Sequence, residues 1–123
     1  DLKCNPEEII NFVLDYCEEN RFLLTNACDS LGRDSFGRFF YNDFYDIGLS
    51  LISEAERVSG KLIDDRYRKF LCSFYVEAIS GILYNWIKSN MSGFSRAEII
   101  AYITSAVGNS LKGIMDEYEV FPR

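Results

Sequence analysis

Hydrophobic positions recur at intervals of three and four along almost the whole chain, the spacing of one face of an α-helix. The first run follows Asn5-Pro6-Glu7-Glu8, where an N-cap residue, a proline at the first helical position and two acids favour a helix start. This pattern predicts helix A from about residue 6 to about residue 27, with a bend near Asn20.

Three further runs follow, separated by short breaks. The break "DSLGRDS" at 29–35 precedes helix B, which ends at Gly60 as a left-handed residue. Helix C extends from Asp64 to Asn90, and helix D begins at the capping box Ser95-Arg96-Ala97-Glu98. No strand pattern competes with these helices. The sequence therefore predicts an all-α fold, an antiparallel bundle of about four long helices within a single domain, residues 1–123.

Helix C raises a question, because 70–87 is apolar on nearly every side. Three explanations compete: a membrane span, a helix surrounded by its own bundle, and a helix partly covered by a second copy of the chain. Glu77 disfavours the span, since an acid at the bilayer centre costs roughly 2 to 3 kcal/mol. A second face of helix D favours the third explanation, because small residues allow close helix approach. That face consists of Ala101, Ser105, Gly108 and Lys112.

Charge and composition exclude several functions. The chain has 48% hydrophobic and 26% charged residues, as globular proteins do, and its net charge of −6 would repel a DNA backbone. Histidine is absent, which removes Ser-His-Asp and Cys-His catalysis and the commonest metal ligand. No phosphate-binding loop or metal motif is present either. We therefore expect neither an enzyme nor a bound cofactor.

The four cysteines, Cys4, Cys17, Cys28 and Cys72, include no C-x-x-C pair and match no zinc-finger spacing. Two disulfides are possible by number, but no signal peptide accompanies them, so buried reduced thiols and an intracellular, cytoplasmic protein are favoured.

Two stretches resemble one family. "FYVEAISGILYNWIKSNMSGFSRAEIIAYI" (74–103) and "YCEENRFLLTNACDSLGRDSF" (16–36) are similar to the C-terminal ligand-binding and dimerisation domain of TetR-family transcriptional regulators. Asn90 stands where glycine is common in that family, and asparagine also tolerates the left-handed conformation. The family's helix-turn-helix is missing, and the chain opens as a piece of a longer protein would, so DNA binding is expected only of the full-length regulator.

The resemblance implies a homodimer formed through the last two helices and a cavity for a small-molecule effector between the earlier ones. Such cavities combine apolar walls with a few polar groups. Each aromatic in the predicted cavity could equally fill the core, and Glu77 could bind a cationic effector, bond a tyrosine, pair with an arginine or simply face water. The predicted cavity residues are Phe12, Tyr16, Phe40, Phe44, Phe74, Tyr75 and Glu77, and the predicted dimer residues are Gly81, Tyr84, Trp86, Ala101, Ser105, Gly108 and Lys112.

These features support an effector-sensing and dimerisation domain of a bacterial transcriptional regulator. The alternative is a freestanding helical adaptor that docks a partner protein on its acidic surface. The residues do not identify the effector, the operator, or whether the regulator represses or activates.

Overall fold

The computed structural model describes residues 6–117, and within that range the chain is helical and contains no strand. The helices are α1 (Pro6–Glu19), α2 (Arg21–Ser59), α3 (Asp65–Lys88) and α4 (Arg96–Glu117). The all-α prediction is confirmed. Asn5, the predicted N-cap of helix A, lies outside the described residues.

The boundary between α1 and α2 differs from the prediction. Helix A was expected to continue to about residue 27, but α1 ends at Glu19. Asn20 adopts φ −108° and ψ 24°, and its side-chain amide donates to the carbonyl of Tyr16 at 2.9 Å. An asparagine that bonds locally to the backbone competes with helix continuation, which turns the expected bend into a helix end.

A glycine divides α2 into two helical segments. Gly32 has φ 77° and ψ −179°, so 21–31 and 33–59 are separate helices joined at a kink. The predicted break at "DSLGRDS" is therefore confirmed. Segment 21–31 lies beside the end of α3, where Lys88 pairs with Asp29 at 3.2 Å and Arg21 bonds Asn90.

Segment 33–59 and α3 form a long antiparallel hairpin. Tyr41 and Ser73 share a hydroxyl hydrogen bond of 2.7 Å near its middle. At its closed end, Gly60 is left-handed with φ 73°, as predicted. Asp64 caps α3 by accepting the N–H of Tyr67 at 3.4 Å, so both predicted end signals are confirmed.

α4 completes the bundle by running antiparallel to α1 and to α3. Arg96 at its start pairs with Asp15 near the end of α1 at 2.6 Å. Its middle meets α3, where the hydroxyls of Tyr75 and Ser110 lie 2.6 Å apart. The predicted capping box is confirmed, because the Ser95 N–H donates to the Glu98 carboxylate at 2.9 Å and the Glu98 N–H donates to the Ser95 hydroxyl at 3.1 Å.

Buried apolar side chains from all four helices form one core cluster. α4 contributes a regular series at every fourth position, which keeps one face inward over the length of the helix. That series is Ile99, Ile103, Val107, Leu111 and Met115.

By length and composition alone, α3 could cross a membrane, and no other helix in 6–117 could. The same test is passed by core helices of ordinary globular proteins. α3 buries Leu71, Cys72, Tyr75, Val76, Leu83, Trp86 and Ile87. A single weakly apolar helix of this kind does not indicate a membrane protein.

Candidate functional site

A groove of about 570 Å³ separates the start of segment 33–59 from the second half of α3. Its volume lies within the range of small-molecule sites. We call it the α2–α3 groove. It is lined by Arg33, Asp34, Phe36, Gly37, Arg38 and Tyr41 from α2, and by Glu77, Ser80, Gly81 and Tyr84 from α3.

Arg33 lies along α3 at one end of this groove. Its guanidinium carbon is 5.7 Å from the centroid of the Tyr84 ring, and its Nη1 is 3.4 Å from Asn85 Oδ1. A Cβ placed on Gly81 would lie 3.0 Å from Arg33 Nη2 and would meet no other atom within 4 Å. Glycine in a helix interior costs about 1 kcal/mol relative to alanine. The Arg33 guanidinium is therefore the group that approaches Gly81 most closely, and a side chain at 81 would require it to shift by a few tenths of an ångström.

The other end of the groove carries hydroxyl and carboxylate groups. Ser80 is 6% exposed and donates to the carbonyl of Glu77 at 2.9 Å, which leaves its oxygen able to accept. Phe36 forms a buried wall and packs against Tyr84 with ring centroids 5.5 Å apart. Glu77, which the sequence analysis assigned to the effector site, lines this groove with an exposed side chain.

The interior cavity expected between the helices is much smaller. Phe40, Phe44 and Tyr75 meet as predicted, but the apolar pocket that they line with Val76 and Ile79 holds about 50 Å³. A cavity of that size holds a water molecule or two, far below the few hundred Å³ that a small-molecule effector occupies. Phe40, Phe44 and Tyr75 therefore fill the core, which was the alternative left open for each aromatic of the predicted cavity.

Three other predicted cavity residues lie elsewhere. Tyr16 packs its ring edge against Phe44 at 5.5 Å and closes the core. Phe12 is 44% exposed and Phe74 is 56% exposed, so both point outward. The assignment of Phe12 and Phe74 to an interior wall is wrong, because helix periodicity does not say which of two apolar faces turns inward.

A second surface, the α3–α4 face, is exposed and mainly apolar. On α3 it follows every fourth residue, and Phe70 and Phe74 stack with centroids 6.1 Å apart. The bond between Tyr75 and Ser110 sets the corresponding positions of α4 beside this stripe. The α3–α4 face consists of Phe70, Phe74, Ala78 and Ile82 from α3, and of Tyr102, Ala106, Asn109 and Gly113 from α4, all of them exposed.

The predicted dimer residues of α3 differ in where they lie. Trp86 is 5% exposed and donates through Nε1 to the carbonyl of Phe94 at 2.9 Å, so its assignment as an anchor for a partner is wrong. Gly81 and Tyr84 line the α2–α3 groove, and Gly81 is seven residues after Phe74, on the same side of α3. A role of Gly81 and Tyr84 in the dimer stays a prediction.

The predicted small-residue face of α4 turns toward α2. Gly108 and Lys112 line a depression of about 390 Å³ with Leu51 and Val58. Ala101 and Ser105 are exposed and continue the same side of α4 by their spacing. No atom lies within 4 Å of a Cβ placed on Gly108, so a close helix contact within the chain does not explain that glycine.

The described cysteines are free thiols in the core. Burial raises the pKa of Cys17 to about 12 and that of Cys72 to about 11. Cys72 Sγ lies 3.2 Å from the carbonyl oxygen of Tyr45. Buried thiols of this kind are inert toward metals and oxidants. Among residues 6–117 no cluster of cysteines and acids could hold a metal ion.

Sequence reasoning missed Arg33 and Arg38 as site residues. One signal was available, because a glycine within an otherwise apolar helix indicates the close approach of another group. The identity of that group depended on how segment 33–59 is registered against α3, and periodicity alone does not give that register.

A family profile described as "transcriptional regulator C-terminal region", of the TetR type, matches residues 4–112. No curated protein and no solved structure matched the chain significantly. These comparisons give no support to a freestanding adaptor.

Proposed function

The chain belongs to the TetR-type transcriptional regulator C-terminal regions, and from this premise we propose that it is the effector-sensing and homodimerisation domain of a bacterial transcriptional regulator. Residues 1–123 act as one domain, and a separate N-terminal domain reads the DNA. The regulator works in the cytoplasm, as TetR regulators generally do. This domain catalyses no reaction, since regulatory domains of this type are generally non-enzymatic.

The observation that carries the proposal is the α3–α4 face. Phe70 is 61% exposed, Phe74 56% and Tyr102 57%, and they lie on two adjacent helices. Single exposed apolar residues are normal, whereas several large ones on two helices that a hydrogen bond joins are typical of an interaction site. A second copy is the occupant that the family implies.

A two-fold axis explains how identical faces cover each other. In an isologous contact each copy presents the same patch, so two helices from each chain form a four-helix seam. Ala78, Ala106 and Gly113 supply small residues among the aromatics of the face. Small residues allow the helix backbones to approach, while Phe74 and Tyr102 provide large anchors.

The shared use of α3 links sensing to assembly. Glu77 and Gly81 of α3 line the α2–α3 groove, and Phe74 and Ile82, which neighbour them on the exposed part of the same helix, belong to the α3–α4 face. A ligand that changes the position of α3 relative to α2 therefore changes the seam. Two sites are coupled when one structural element has two arrangements and each site shifts the equilibrium between them.

Light scattering across a dilution series tests the assembly. The 123-residue chain is expected at the dimer mass in the micromolar range. Phe74→Glu places a charge in each half of the seam and is expected to give monomers whose helix content by circular dichroism is unchanged. A wild-type chain that remains at the monomer mass at high micromolar concentration would exclude the seam.

Gly108→Leu is a matched control that distinguishes two faces of α4. Gly108 lies on the side of α4 that meets Leu51, away from the α3–α4 face. If the seam uses the α3–α4 face, Gly108→Leu leaves the dimer intact while Phe74→Glu abolishes it. The reverse pattern would assign the dimer to the small-residue face predicted from the sequence.

A further inference from the structure

The α2–α3 groove contains two arginines without an acidic partner. The chain has 19 acids against 13 lysines and arginines, and six of the eleven basic side chains in 6–117 pair with an acid. Arg33 and Arg38 also line a groove with Asp34 and Glu77, but neither guanidinium lies within 4 Å of a carboxylate in the described range. Paired cations elsewhere include Arg57, Arg68, Lys69, Lys88, Arg96 and Lys112.

Arg33 is held in place by α3. Asn85 Oδ1 lies 3.4 Å from one of its terminal nitrogens, the Tyr84 ring centroid lies 5.7 Å from its guanidinium carbon, and Gly81 leaves room for the other nitrogen. A side chain that is already oriented loses less conformational entropy when a ligand binds, so less of the binding free energy is spent on ordering it. A guanidinium has two parallel N–H donors, a geometry that matches a carboxylate.

The walls of the groove indicate the rest of the ligand. Phe36, Tyr41 and Tyr84 present aromatic surface beside the two arginines, and Ser80 offers a buried hydroxyl oxygen. We propose that the α2–α3 groove is the effector site and that it binds a small organic carboxylate with a flat apolar body, Arg33 being the main anion-binding residue and Arg38 the second. The regulatory consequence of this binding rests on the proposed function, whereas the binding itself does not.

Asp34 and Glu77 of the groove favour a cationic ligand less than the two arginines favour an anionic one. All four charged side chains of the groove are exposed, but Asn85 and Tyr84 contact the Arg33 guanidinium, whereas no side chain among the described residues orients the Asp34 or Glu77 carboxylate. A buried or aromatic-lined carboxylate would be the usual arrangement for an organic cation. Inorganic phosphate would meet the arginines but would leave the aromatic walls uncovered.

Three probes with the same body and different charge test the ligand class. Phenylacetate, phenylacetamide and 2-phenylethylammonium are titrated into the ¹⁵N-labelled chain, and the amide signals of Gly37 and Gly81 report on the groove. Phenylacetate is expected to shift both signals at lower concentration than either analogue or inorganic phosphate. Preferential binding of the ammonium probe, equal binding of the phosphate, or no binding of phenylacetate at tens of millimolar would overturn the inference.

Arginine variants test the assigned residue. Arg33→Gln is expected to weaken phenylacetate binding about tenfold or more, because a charged hydrogen-bonded pair is lost. Arg66→Gln is the matched control, since Arg66 is an exposed arginine in the first turn of α3 that does not line the groove. Arg33→Lys keeps the charge without the two parallel donors and is expected to bind with intermediate affinity.

Circular dichroism of each variant verifies its fold, and Gly81→Ala offers a second test that keeps Arg33. The added Cβ requires the guanidinium to shift from its present position, so this variant should weaken phenylacetate binding by a smaller factor than Arg33→Gln does. Unchanged affinity in both Arg33→Gln and Gly81→Ala would overturn the role of Arg33.

The result of the phenylacetate experiments can be distinguished from the result of the dimer experiments. A chain that dimerises through the α3–α4 face but does not bind phenylacetate contradicts only the ligand class. A monomeric chain that binds phenylacetate through Arg33 contradicts only the dimer.

Discussion

The two sides of α3 differ although both are rich in apolar residues. The side toward α2 is densely packed, with Cys72 and Val76 against Gly48, and its polar groups line the α2–α3 groove. The side toward α4 has few contacts within the chain and leaves Phe70 and Phe74 exposed. A helix without a polar face is therefore not simply a core helix.

The difference separates stability from assembly. Changes on the α2 side remove contacts that exist in each copy, so they should lower the stability of the protomer. Changes on the α3–α4 face remove few such contacts, so they should alter the oligomeric state first. The free energy of unfolding distinguishes these two kinds of change, and it is measured by urea at fixed protein concentration because a dimer's stability depends on concentration.

Glu56→Ala is expected to have the largest effect, a loss of about 3 kcal/mol, because it removes a buried carboxylate that accepts several hydrogen bonds and leaves Arg68, 24% exposed, with only its 3.8 Å contact to Asp65. Glu56 is 5% exposed and accepts from Arg68 Nη2 at 2.8 Å and from the Ile63 N–H at 2.7 Å. These bonds close the turn between α2 and α3.

Glu54→Ala is the control for that prediction. Glu54 forms an exposed pair with Arg57 three residues away, and such pairs contribute at most about 1 kcal/mol. Equal losses in the two variants would show that the Glu56 network does not hold the hairpin together.

Gly48→Val is expected to cost about 1 to 3 kcal/mol through overpacking. A Cβ at this position would lie 2.8 Å from Cys72 Sγ and 3.2 Å from Val76 Cγ2, and Cys72 is fully buried and cannot move aside. Gly37→Val, in the same helical segment, has no atom within 4 Å of its added Cβ and should change stability by less than about 0.5 kcal/mol. Tolerance of valine at position 48 would contradict the close approach of α2 and α3.

Tyr75→Phe is expected to have the smallest effect, about 0.5 to 1.5 kcal/mol, since it removes one neutral hydrogen bond. Burial raises the pKa of Tyr75, although the bond to Ser110 acts in the opposite direction, so the hydroxyl stays protonated and joins α3 to α4. Tyr102→Phe, which removes an exposed hydroxyl 3.4 Å from Glu98, should be nearly neutral. A loss of stability in Tyr75→Phe as large as that in Gly48→Val would contradict the smaller contribution expected of the contacts between α3 and α4.

The helix ends were the most predictable part of the fold. Gly60, Asp64 and the Ser95/Glu98 capping box act within one turn of chain, so their residue types are sufficient to identify them. Asn90 has φ 61°, in agreement with the expectation that it replaces a left-handed glycine. Asn20 was less predictable, because an asparagine can either bend a helix or end it.

The candidate site was predicted only in part. Phe40, Phe44 and Tyr75 do meet, but the space left between them depends on how closely four helices pack. Glu77 lines the larger groove, whose arginines come from a segment more than 30 residues away in sequence. Which side of α3 faces α2 depends on the register of two helices that are distant in sequence. The pattern of neighbouring residues does not contain that register.

The sequence by itself determined the helices, their order and the family, because spacing, caps and extended motifs are properties of neighbouring residues. It also determined that α3 would have more apolar surface than one small bundle covers. Only the tertiary structure decided that Trp86 lies inside, that Phe74 lies outside and that Gly81 receives Arg33. The physical reason is that all three residues belong to one apolar helix, and only the contacts of α3 with α2 and α4 give its faces different environments.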